Sequence, residues 1–232
     1  MASAAGEAKE TARAAHAVGS AIVLGSLTSL ELHCANDQML ANFSFPRLQR
    51  LQLSGAGVKI SNLCALLPRF PALTMLAVGG DATVPFAGRD SALQSNAMTI
   101  LLLTSCTVAA DDISAALAAF PSLQALTVMS ASFGLQPLFS ICSARPKELI
   151  LLDYRRPGTL SVGAETLQWL LASCPKLRVL MLPKNALKVD GSDALVEVRT
   201  FFAATKQKNR DFSVHLGNSD HTVPSCTNCQ QL

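Results

Sequence analysis

Four side chains near the C-terminus have the chemistry of a metal site. His215, His221, Cys226 and Cys229 combine two imidazoles with a C-x-x-C pair, and four such ligands can hold a tetrahedral zinc ion. The set is weak as a motif. The chain has no second C-x-x-C, and His215 lies in residues 211–218, where alternation marks a final strand instead. The tail reads as polar chain with two incidental cysteines, and neither a metal nor another cofactor is expected.

Catalytic constellations are scarcer still. G-x-S-x-G, H-E-x-x-H and the G-x-x-x-x-G-K-[ST] phosphate loop are all absent. Asp111 and Asp112 stand before a helical pattern, where carboxylates cap free N–H groups and favour the helix dipole. That structural role outweighs acid–base work. His16 and His33 show no acidic partner nearby in sequence. No catalytic residues are assigned, and the chain is not expected to be an enzyme.

Composition narrows the classes further. Half of the 232 residues are hydrophobic and only 15% are charged, against roughly 25% in ordinary domains. The net charge is +3. Basic residues are scattered apart from Lys206, Lys208 and Arg210, and Arg155 with Arg156, which argues against nucleic-acid binding. So charge-poor a surface suits a subunit partly covered by partners. Seven cysteines, an odd number spread along the chain, read as reduced thiols among apolar neighbours. No apolar run reaches the roughly 18–20 residues of a membrane span. The Ala-rich start matches neither a secretory nor a mitochondrial leader. An intracellular location is expected, cytoplasmic first, with mitochondrion and cilium as alternatives.

The elements that would carry any site come from a repeat. Leu177-x-x-Leu180-x-Leu182-x-x-Asn185-x-Leu187 fills every fixed place of L-x-x-L-x-L-x-x-N-x-L, and Met98 to Val108 fills the cysteine version through Cys106. Further first halves start at Leu27, Leu48, Leu73 and Leu123, with a looser one at Leu149. Successive starts are therefore 21, 25, 25, 25, 26 and 28 residues apart. The alternating end of each unit predicts a short strand, beginning near Ser29, Arg50, Met75, Ile100, Ala125, Ile150 and Val179. Leu63, Leu66 and Leu67, then Ile113, Ala116 and Leu117, then Leu167, Leu170 and Leu171 have helical spacing. Pro71, Pro121, Pro146 and Pro175 fall just before the next unit, where proline would end each return helix. Residues 79–90, rich in glycine, predict a loop.

These units resemble the leucine-rich-repeat superfamily, in its ribonuclease-inhibitor-like and cysteine-containing subclasses, over roughly residues 20–217. The sequence departs from that pattern at Ala35, Ala56, Asp81, Ala131 and Pro157, where Asn or Cys is usual. The resemblance implies an α/β fold: a right-handed solenoid or horseshoe arc, with a parallel sheet on the concave face and mainly helices on the convex face. Residues 1–19 then form an N-terminal capping helix. Residues 20–218 form seven repeats plus a terminal capping helix (194–208) and strand, and residues 219–232 form a flexible tail.

Such proteins bind through the concave sheet, so its outward positions are the candidate site. They are polar at the ends and apolar between, giving a partner-binding band of Met75, Ile100, Leu102, Met129, Leu151, Val179 and Met181. The function expected is a non-catalytic protein-interaction scaffold, a structural or adaptor subunit of a multi-protein assembly. The alternative is the substrate-recognition arm of a ubiquitin-ligase-type complex. That arm normally has a docking module ahead of its repeats, and the first repeat here already begins at Leu27.

Overall fold

The computed structural model describes residues 22–61, 63–82, 86, 95–106, 110–129, 136–155, 162–183, 186, 200–201, 203–205 and 211–217. Expectations for the N-terminal capping helix, the C-terminal tail, Ala131, Pro157 and most of the loop at 79–90 lie outside these residues. So does most of the capping helix at 194–208, of which residues 200–201 and 203–205 are helical. No described helix is long and apolar enough to cross a membrane.

The fold is α/β and centres on one eight-stranded parallel sheet. Its strands are β2 (Ser29–Asn36), β4 (Arg50–Lys59), β5 (Met75–Gly79), β6 (Ile100–Thr104), β7 (Ala125–Met129), β8 (Leu151–Asp153), β9 (Val179–Pro183) and β10 (Ser213–Gly217). They lie side by side in chain order, and every pairing is parallel. Two-residue strands β1 (Ile22–Val23) and β3 (Phe43–Ser44) pair separately, a feature the repeat pattern does not announce.

Alternation explains the sheet's inner face. Successive side chains of a strand point to opposite sides, so Leu51, Leu76, Leu101, Leu126, Leu152 and Leu180, which share one register position, form a single buried column. Leu53, Val78, Leu103 and Val128 make a second. At the ends, where one neighbour is missing, Leu30 and Val214 are only partly buried. Just before each strand the backbone adds its own ladder. The carbonyls of Gln49, Thr74, Thr99, Gln124 and Ile150 each accept N–H bonds from two successive residues of the following unit, at 2.8–3.0 Å. A carbonyl has two lone pairs, so one oxygen satisfies both donors.

The connections depart from expectation in part. Among the described residues, three connections carry a helix of nine or ten residues: α2 (Ala110–Ala119), α3 (Gln136–Ala144) and α4 (Ala164–Ser173). Between β2 and β4 there is only a five-residue helix, α1 (Asp37–Ala41), and between β4 and β5 only a 3-10 turn (Cys64–Arg69). Leu63, Leu66 and Leu67 are buried as their spacing predicts, but Pro68 lies inside that turn, and proline removes a donor that an α-helix needs. The repeated prolines fall where expected, Pro71, Pro121, Pro146 and Pro175 each standing two residues beyond the last helical residue, and three of them also serve a turn. Leu73, Leu123 and Leu177 each donate N–H to Phe70, Phe120 and Cys174 respectively, so Pro71, Pro121 and Pro175 occupy the second place of a tight turn, which favours proline.

Two expected ladder positions shift. Ala56 is exposed, and Val58 is buried in its place. The register passes from Leu32↔Leu53 to Cys34↔Gly57, so β4 carries two more residues than β2 there. Gly55 makes this bulge at φ 93°, where a Cβ would stand 2.9 Å from the His33 carbonyl oxygen, so only glycine fits. Asp81 is likewise exposed with φ 64°, and Ala82 fills the core.

Cys106, Cys142 and Cys174 are buried, while Cys34 is exposed. Burial pushes the Cys106 and Cys142 thiols up to about 11 and the Cys174 thiol to about 12, the last also raised by nearby Cys142. The folded protein thus holds these protons at a pH where the unfolded chain has lost them. Their contribution to stability is complete below about 9 and declines as pH rises toward 11–12.

Two outcomes follow. Leu126→Ala, in the middle of the buried column, is expected to cost roughly 2–5 kcal/mol, read from the denaturation midpoint; a near-neutral change would contradict its inward position. Native alkylation followed by mass spectrometry should label Cys34 and spare Cys106, Cys142 and Cys174. The thermal midpoint should then fall steadily above pH about 9, whereas a flat profile to pH 11 would mean these thiols ionise freely in the fold.

Candidate functional site

The sheet's other face carries the candidate site. Pairing aligns Ser29, Arg50, Met75, Ile100, Ala125, Leu151, Val179 and Ser213 in one row. The next row is Glu31, Gln52, Ala77, Leu102, Thr127, Asp153, Met181 and His215. A slip of one residue would exchange the faces; the pairing has none across these rows.

Chemistry changes along the rows. Ser29, Glu31, Arg50 and Gln52 are exposed, and the Gln52 amide donates to Glu31 Oε1 at 2.8 Å. Met75, Ile100, Leu102, Met129, Leu151 and Val179 are half-buried, and the register sets them on neighbouring strands of one face. Adjacent strands are about 4.8 Å apart, so the row from Met75 to Val179 crosses about 19 Å.

Met181 requires correction. Expected to be exposed, it is only 2% exposed, beside Asp153 at 1% and Thr127 at 6%. A buried ion pair stands next to it. Arg155 lies two residues after Asp153, on the same side, and donates from Nε to Oδ1 at 2.9 Å and from Nη2 to Oδ2 at 2.8 Å. This two-pronged geometry suits a guanidinium and a carboxylate, and it holds Arg155 more firmly protonated than usual. Asp153 and Met181 are register partners, so the guanidinium is held about one strand spacing from Met181. Asp153 was legible in sequence as an outward residue. That Arg155 would pair with it was not, although an acid and a base two residues apart at a strand's end is a readable signal.

A second polar group lies at the β2 end. Ser54 Oγ and His33 Nδ1 are 2.8 Å apart, and His33 Nε2 lies 3.6 Å from Glu31. His33 therefore has an acidic partner, contrary to its reading in sequence. Hydroxyl, imidazole and carboxylate align in the order of a nucleophile, base and orienter. The His33 and Glu31 side chains are 77% and 52% exposed, however, and electrostatic catalysis gains its strength from sites that exclude water. We read the trio as a surface network.

The other chemical candidates separate. Asp111 and Asp112 lie in the first turn of α2, where Asp112 accepts the Phe86 N–H at 3.0 Å, a structural use. His215 is exposed on β10, its Nε2 3.2 Å from Ser213 Oγ. His16, His221, Cys226 and Cys229 lie outside the described residues. Among those described, no three His, Cys, Asp or Glu side chains group as metal ligands.

No protein-family model and no curated protein matches the chain.

The ion pair makes a testable claim. Removing one partner leaves the other charge buried, which typically costs 3–5 kcal/mol. Arg155→Met should therefore destabilise by about that much, and Asp153→Leu with Arg155→Met should recover most of the loss. If the double variant is as unstable as the single, the guanidinium serves the fold through contacts other than Asp153.

Proposed function

We propose that this chain is a leucine-rich-repeat arc whose sheet forms a concave docking face for a partner protein, and that it works as a non-catalytic scaffold or adaptor subunit. The sequence repeat and the strand order support the repeat reading, since each unit begins a strand that pairs with the next unit. Right-handed crossovers are the general rule for parallel strands joined this way. Free thiols suit a reducing compartment.

One observation carries the binding reading: the outward row turns from polar to apolar at Met75 and stays free of charge through Val179. A connected apolar surface on a charge-poor protein is a place for a partner. Its magnitude sets the kind of partner. Fully burying a large aliphatic side chain yields roughly 1.5–3 kcal/mol, and these are half-buried already, so each adds about 1 kcal/mol. Six such residues must also offset the entropy of association. The result is a reversible complex rather than an obligate core. Methionines at Met75 and Met129 can reshape to an incoming helix or strand.

Ile100→Asp with Leu102→Asp is expected to remove at least tenfold of partner capture, measured by quantitative affinity purification against wild type, with circular dichroism unchanged. Asp at Met181 should instead unfold the protein, because that side chain is buried. A folded Ile100/Leu102 variant that captures the same proteins in the same amounts would exclude this face.

A further inference from the structure

The first strand of the sheet keeps a row of main-chain groups turned away from its neighbour. In every later strand the first outward residue donates its N–H to the preceding unit, from Arg50 to Thr28 through to Ser213 and Arg178, at 2.7–3.1 Å. Main-chain groups of a parallel strand face its two neighbours alternately. Outward residues therefore address the strand before, and inward residues the strand after. Ser29 and Glu31 hold the same register positions in β2 as Arg50 and Gln52 in β4. Their N–H and C=O groups thus face away from β4, toward the side where no described strand lies.

The core is incomplete on that same side. Leu27, Leu30 and Leu32 are only partly buried, whereas their counterparts one unit on, Leu48, Leu51 and Leu53, are at most 1% exposed. A helix laid over this end would cover the leucines and leave the main-chain groups unpaired. An extended strand answers both needs: alternate side chains fall beside the leucines while its backbone continues the ladder. Edge strands are ordinarily blunted by brevity, proline or lysine. β2 has eight residues and contains neither proline nor lysine.

Charge and composition select the strand that fits. Glu31 meets the Gln52 amide and the His33 ring through Oε1 alone. Its side chain is 52% exposed, so Oε2 can take a cation, and the residue opposite should be Lys or Arg. Residues 1–21 hold nine alanines and two β-branched residues, a composition poor in strand formers and without alternation of larger apolar side chains. We propose that the β2 edge receives an extended segment of a partner protein as a further parallel strand. Its apolar residues lie beside Leu30 and Leu32, and a basic residue between them stands opposite Glu31. This edge is separate from the apolar band on the sheet's face and does not rest on it.

A fluorescein-labelled peptide with the core Ser-Val-Lys-Val-Ser, titrated with the full chain and followed by anisotropy, tests this. Saturable binding with a Kd below about 1 mM is expected. N-methylation of both valines, whose amides face β2 in this parallel register, should abolish it, while N-methylation of the lysine should be tolerated. Replacing the peptide's lysine by glutamate should weaken binding about threefold, and Glu31→Lys in the protein should reverse that preference. Ser29→Pro removes one N–H directed at the open side and should cost about tenfold or more, with circular dichroism unchanged. Leu102→Asp should have no effect, which separates the edge from the face. Absent binding, or binding indifferent to valine N-methylation and to the charge exchange, overturns the proposal. So does a mass that rises with protein concentration and falls back when peptide is added, because the occupant is then a second copy of the chain.

Discussion

In-register parallel pairing of neighbouring units is the constraint from which the rest of this structure follows. Each strand finds its partner in the next unit of the chain, and the double-accepting carbonyls from Gln49 to Ile150 lock the phase. Once the phase is set, every inward leucine stands on another leucine or a valine. Every outward residue also joins a row whose composition the sequence can vary freely. The core and the candidate site are thus two sides of one register. A unit may lose its helix, as the Cys64–Arg69 turn shows, without disturbing the rows.

Polar groups on the outward face are handled differently at its two ends. Near β2 they remain in water, where Glu31, Gln52, His33 and Ser54 bond to one another at little cost in desolvation. Near β8, Asp153 and Arg155 are removed from solvent and must satisfy each other. Thr127 and Met181 are buried with them. The half-buried apolar band lies between these regimes, which gives the face a direction: open and polar at one end, closed at the other.

Much of this was legible because period-two alternation and the 25-residue spacing are strong signals in a leucine-rich chain. The positions of Leu51, Leu101 and Leu180 follow from them directly. What escaped depends on events of one or two residues. The bulge at Gly55 moves the core position from Ala56 to Val58, and a fixed count from Leu48 cannot anticipate it. The prolines do follow each helix end as expected; that Pro71, Pro121 and Pro175 also serve a tight turn is what the pattern left unsaid. Met181 follows the outward pattern faithfully and is nonetheless buried, beside Asp153, whose carboxylate Arg155 folds back to meet. Pattern assigns a side chain to a face; what then lies over that face is a tertiary matter.

The chain-order pairing of the strands has a kinetic side. Register partners are about 21–34 residues apart in a chain of 232, so typical pairings span about a tenth of its length, close to the relative contact order of helical proteins and below that of most all-β domains. No strand must wait for a distant terminus, and loop closure costs about the same at each step. A large parallel sheet ordinarily forms slowly because its pairings are remote. Here the chain can assemble its sheet as a growing front, with each added unit finding its template already in place.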